Sequence, residues 1–123
     1  MRIKEIGIRN LREGFDHFKA AFSSAQERQP FKRKEGAYFT SLEAARRFLT
    51  PKRLHLLHVV KEKSPQSLYA LAKCSGRSFS SVVRDVRILS QHGLIQLTPR
   101  STAPRHRVHP EVPYDVINIW IGI

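Results

Sequence analysis

Two glycines and the hydroxyl residues ahead of them constrain this chain most. Ser67 is placed to cap a short helix, SLYALAKCS, in which Leu68, Leu71 and Ala72 face inward. Gly76 suits the left-handed position just past that helix's last turn. Ser78 caps a second helix, SFSSVVRDVRILSQH, which stops at Gly93. Between Lys73 and Ser78 the chain offers only Cys-Ser-Gly-Arg, with glycine where the backbone must reverse. Helices joined so tightly cross steeply, which leaves one face of the second uncovered.

Spacing says which face. Phe79, Val82, Val83, Val86 and Leu89 form an apolar stripe expected to point into the core. The other side carries Ser80, Ser81, Arg84, Arg87 and Gln91, and positions 80, 84, 87 and 91 step by four, three and four residues along one line. Small hydroxyl side chains near the helix start allow close approach to a groove, and arginine further along can bond guanine O6 and N7 or a phosphate. Asp85 offsets one charge and can orient a neighbouring arginine. Arg77 stands at the helix N-terminus, where the dipole disfavours a cation without a bound anion nearby, so Arg77 and Ser78 join Ser80, Ser81, Arg84, Arg87 and Gln91 as expected DNA-binding residues of this helix. The same pattern also describes an ordinary solvated amphipathic helix, so the flanks matter.

Upstream, AYFTS reads as extended chain and SLEAARRFL carries Leu42, Ala45 and Leu49 at helical spacing. Thr50-Pro51 opens a further helix, a hydroxyl cap followed by proline at the first position. That helix, PKRLHLLHVVKEK, is expected to bury Leu54, Leu57 and Val60 or their neighbours and to end at Ser64-Pro65. Downstream, LIQLT and the stretch from Val112 to Ile123 read as strands. Between them, a proline- and arginine-rich hairpin loop holds Arg100, Arg105, His106 and Arg107. Helix, short helix, tight turn, longer helix, strand, loop and strand is the order of a helix-turn-helix with a wing. The expected fold class is mainly α with a small β-hairpin wing (α+β), a winged helix-turn-helix over residues 37–123.

Residues 1–36 read as a separate arm for dimerisation. RIKEIGI is a short strand, and the helix LREGFDHFKAAFSSAQE sets Phe15, Phe18 and Phe22 on one face for core or dimer packing. ERQPFKRKEG, bracketed by Pro30 and Gly36, is a linker or an exposed basic loop. At the other end VINIWIGI is unusually apolar, and Trp120 marks it as either a second dimer surface or a strand paired against the wing.

Charge narrows the partner. Twenty-two Lys and Arg against ten Asp and Glu give a net charge of +12. Such a chain attracts polyanions, and neutralising phosphates releases counterions from nucleic acid. Charge alone is equally compatible with a merely soluble surface or an anionic membrane. Its distribution favours nucleic acid: from Arg77 to Arg107 there are six arginines and one acid, a net of five positive charges. Arg100, Arg105 and Arg107 are expected to touch phosphates or the minor groove, with a flexible basic loop as the alternative.

Other chemistry finds little support. The single cysteine, Cys74, is expected to be a small buried hydrophobe, and one free thiol suits a reducing cytoplasm. His55 and His58, and His106 and His109, are spaced three apart, yet zinc wants four ligands and no HExxH or CxxC is present. The expectation is therefore no metal, no cofactor and no enzyme activity, with no phosphate loop, GxSxG elbow or carboxylate pair in the sequence. MRIKEIGIRN has no signal-peptide core and no apolar run approaches a membrane span, so a cytoplasmic protein is expected.

The run LAKCSGRSFSSVVRDVRILSQHGLIQL resembles the core of winged-helix regulators of the MarR and ArsR type. Their shared pattern is a short "LA" helix, a recognition helix and an LxxxGLI/V exit into the wing. From Phe39 to Leu97, and more weakly in YDVINIWI, the chain is similar to small prokaryotic predicted regulators with an LTPKRLELL…GR…V.RD…GL pattern. The resemblance implies a homodimeric repressor that binds double-stranded DNA. Members can be encoded beside a toxin-like partner, which implies the alternative of an antitoxin that represses its own operon. Cys74, Phe79 and Ser80–Ser81 depart from the pattern, so no sequence preference carries over. An RNA binder or nonspecific nucleic-acid binder is the third reading.

Overall fold

The computed structural model describes residues 1–9, 34–102 and 105–122. Phe15, Phe18 and Phe22 lie outside the described residues. The chain is an α+β protein that divides into two compact units, Met1–Phe48 with Tyr114–Ile123, and Leu49–Pro113.

The first unit is built on a parallel sheet of three strands: β1 (Ile3–Arg9), β2 (Lys34–Phe39) and β5 (Val116–Gly122), in the order β2-β1-β5. A central strand is flanked on both edges, and β1 is accordingly buried from Ile3 to Gly7 and Ile8, polar residues included. The short strand expected at RIKEIGI is present and lies at the centre of this sheet. Glu5 is buried and accepts hydrogen bonds from Trp120 Nε1 and, at 3.5 Å, Asn118 Nδ2. At the strand starts Arg2 and Asp115 exchange two bonds: Asp115 N–H donates to the Arg2 carbonyl at 2.9 Å and Arg2 N–H to Asp115 Oδ2 at 3.2 Å. This clamp fixes the register in which Ile6 and Ile8 lie beside Ile119 and Ile121. Helix α1 (Leu42–Phe48) buries Ala45 and Phe48, and the Phe48 ring lies 5.1 Å from Phe39 of β2. Leu42, which shares helical spacing with Ala45, is exposed.

Three expectations change here. The boundary drawn between 36 and 37 falls inside β2, because residues 34–36 of the supposed basic linker pair with Ile3, Lys4 and Glu5. The C-terminal strand belongs to the first unit, since it pairs with β1 and not with the hairpin. Five strands stand beside four helices among the described residues, so "mainly α" understates the β content.

The second unit holds α2 (Pro51–Lys63), α3 (Leu68–Ser75), α4 (Phe79–Gln91) and an antiparallel hairpin, β3 (Gln96–Thr102) with β4 (Arg105–Glu111). Thr50, Ser67 and Ser78 each cap a helix, accepting from the backbone N–H three residues on, at 3.2, 3.1 and 3.3 Å. Gly76 takes the left-handed conformation at φ 69°, and its N–H closes the α3 end on Ala72 and Lys73. The core gathers Leu56, Leu57, Val59 and Val60 of α2, Leu71 and Ala72 of α3, and Val82, Val86 and Leu89 of α4. Leu94 and Ile95 complete it between α4 and β3, which begins two residues later than LIQLT suggests. Each fully buried aliphatic side chain contributes about 1.5–3 kcal/mol. Leu54 turns outward and Leu56 takes its place at full burial. Cys74 is exposed: it sits about 200° around the helix from Ala72, away from the buried stripe.

Candidate functional site

The site is read from α4, whose buried and open faces are sharply divided. Val82, Asp85, Val86 and Leu89 face inward. Ser80, Arg84, Arg87 and Gln91 are exposed, in the line that the 80-84-87-91 spacing predicts. Arg84 keeps 71% of its side chain in solvent. Ser81 is half-buried, and its hydroxyl receives a 2.8 Å hydrogen bond from the Ser78 hydroxyl beside the cap. The exposed line therefore presents two guanidinium groups, a hydroxyl and an amide, all able to donate hydrogen bonds to an acceptor-rich surface.

Arg77 behaves differently from these. Its Nη2 donates to Asp85 Oδ2 at 2.7 Å, and only 18% of its side chain is exposed. The anion that a cation at this helix start requires is thus within the chain itself. Arg53, on the first turn of α2, donates through Nε to the other oxygen of Asp85 at 3.2 Å. Burial works against ionising Asp85, and the hydrogen bonds and charges of Arg77 and Arg53 outweigh it, holding the carboxyl below its ordinary value of 3.8. Asp85 does orient an arginine, and it orients two. Arg53 carries no periodic signal that distinguishes it from its solvated neighbours, which is why the sequence does not single it out.

The expected apolar stripe is also narrower at one end. Phe79 is half exposed and Val83 only partly buried. The Phe79 ring lies 6.3 Å from that of Tyr69, itself exposed, and Lys73 Nζ sits 4.8 Å from the centre of the Tyr69 ring.

The hairpin follows α4 after Gly93, at φ 74°, and the buried pair Leu94–Ile95. Arg100 lies on β3, opposite Arg107 of β4, and His106 and Arg105 oppose Ser101 and Thr102. All four basic positions are therefore on strand rungs near the tip, where a loop was expected. Pro99 and Pro110 are tolerated because each strand of a two-stranded ribbon has one open edge. Trp120 is on β5 in the first unit, apart in sequence and unit from the α4 line. Among the described residues no helix is long and apolar enough to cross a membrane.

Two helices joined by a tight glycine turn and followed by a ribbon, with a cationic line along the second helix, define a small basic α+β chain with one sharply polarised helix. The chain belongs to the HVO_A0114 family, whose sequence model matches residues 48–119. That stretch takes in the whole second unit and the start of β5. No curated protein matches the chain.

Proposed function

We propose that this chain is a sequence-specific regulator of transcription, a winged helix-turn-helix protein that binds double-stranded DNA as a homodimeric repressor. One observation carries the reading. A thirteen-residue helix has one face wholly buried and the opposite face lined by Ser80, Arg84, Arg87 and Gln91, with a tight glycine turn before it and an arginine-bearing ribbon after it. α4 enters the major groove, where a bidentate arginine–guanine contact discriminates by about 1–3 kcal/mol. The ribbon carries Arg100, Arg105 and Arg107 toward the backbone or minor groove. Arg77 serves by holding the start of α4 through Asp85.

A protein partner is favoured by β5, an edge strand of its sheet that exposes Ile119, Trp120 and Ile121. A second copy covers it in the repressor; a toxin covers it in the antitoxin reading, in which the α4 line serves autoregulation. The test is a gel shift of the DNA upstream of the protein's own gene against random duplex at about 150 mM salt, with an expected preference of about 10³ or more. Equal binding of both, falling steeply with salt, marks a nonspecific polyanion binder and overturns the reading.

A further inference from the structure

Phe79 is in an unfavourable place for a side chain with no contact to make. It is the first residue of α4, it is 50% exposed, and beside it on the next turn stands Val83. Together with Ser80, Arg84, Arg87 and Ile88 they line one open depression across the polar side of the helix. Every group there is apolar, hydroxylic or cationic, so the depression suits a surface that is anionic overall and apolar at one point. The edge of a DNA base pair in the major groove offers one apolar group, the 5-methyl of thymine, between acceptors that serine and arginine can bond. The Tyr69 ring, 6.3 Å away and tilted, supports the Phe79 ring from α3.

We propose that Phe79, backed by Val83, receives a thymine 5-methyl group and is a specificity-determining residue of this chain. The inference rests on the reading of α4 as the helix that enters the major groove. It assigns Phe79 and Val83 the apolar part of the recognition and leaves Arg84 and Arg87 the polar part.

Duplexes selected from a random library by the full-length chain provide the probe. The tightest is remade with deoxyuridine in place of each thymidine in turn, which removes the methyl group and keeps the hydrogen-bonding pattern. Fluorescence anisotropy should find a position where uracil weakens the wild-type protein about fourfold, the worth of one buried methyl. Phe79→Ala should bind the thymine and uracil forms alike, and Phe79→Leu should retain part of the difference. A wild-type protein indifferent to uracil at every position overturns the inference, as does a Phe79→Ala protein with the full wild-type loss. Should Phe79→Ala fail to fold, the wild-type series and Phe79→Leu decide the matter. Selection that yields no preferred duplex overturns the DNA reading and this inference with it; a preferred duplex insensitive to uracil overturns this inference alone.

Discussion

Arg77 Nη2 donates to Asp85 Oδ2 at 2.7 Å across the first two turns of α4, and the same carboxylate takes Arg53 Nε on its other oxygen. One acid, 6% exposed, thereby binds the turn before α4 and the first turn of α2 to α4 itself. Arg84 Nε stands 4.0 Å from the same carboxylate, and three guanidinium groups around one acid leave an excess positive charge at the head of the helix, beside the Ser78 cap. The arrangement sets the direction of α4 before any ligand arrives.

Removing that carboxylate should therefore cost stability. Asp85→Asn removes the carboxylate that two largely buried guanidinium groups share, and the expected loss is about 3–5 kcal/mol, read from urea unfolding at neutral pH. The pH dependence has a definite sign. The carboxyl is held below its ordinary value of 3.8 in the folded chain, so its stabilisation is fully present above that value and is lost as pH falls through the lowered one. Wild type should thus lose more stability than Asp85→Asn between pH 6 and pH 3. Parallel losses in the two proteins would show that the network contributes nothing to the acid limb.

The outer side of β5 makes its own prediction. Ile119 is 52% exposed on an edge strand, so Ile119→Lys can keep its charge in solvent and is expected to leave the folded chain near its wild-type stability. In the homodimer proposal it converts the dimer to a monomer by sedimentation or size-exclusion measurement. An unchanged dimer places the interface elsewhere, and a wild-type monomer with and without DNA removes the dimer altogether.

The ribbon should steer and not read. Arg105→Ala is expected to weaken selected and random duplexes by similar factors and to reduce the slope of log affinity against log salt by about one. A loss confined to the selected duplex would make Arg105 a base-reading residue.

Much of the second unit was legible in the sequence because its signals are local. Thr50, Ser67 and Ser78 mark three helix starts and Gly76 and Gly93 two reversals, each through one residue's backbone chemistry. The 80-84-87-91 line follows from helical period alone. The pairings of the first unit were not legible, because a parallel ladder between residues over a hundred positions apart, such as Glu5 and Asn118, leaves no local trace. One partner of Asp85 was hidden for the same reason, since Arg53 is 32 residues away. Phe79 misled the reading in another way. A phenylalanine at the edge of an apolar stripe has the period of a core residue, and only the structure shows that half of it is exposed.

Whether α4 reads bases turns on Arg84. Fluorescence anisotropy of wild type and Arg84→Ala, each on the selected duplex and on random duplex of equal length at about 150 mM salt, separates reading from charge. Arg84→Ala is expected to lose about 1–3 kcal/mol on the selected duplex and much less on the random one. An equal loss on both duplexes, or no loss on either, would contradict base reading by α4.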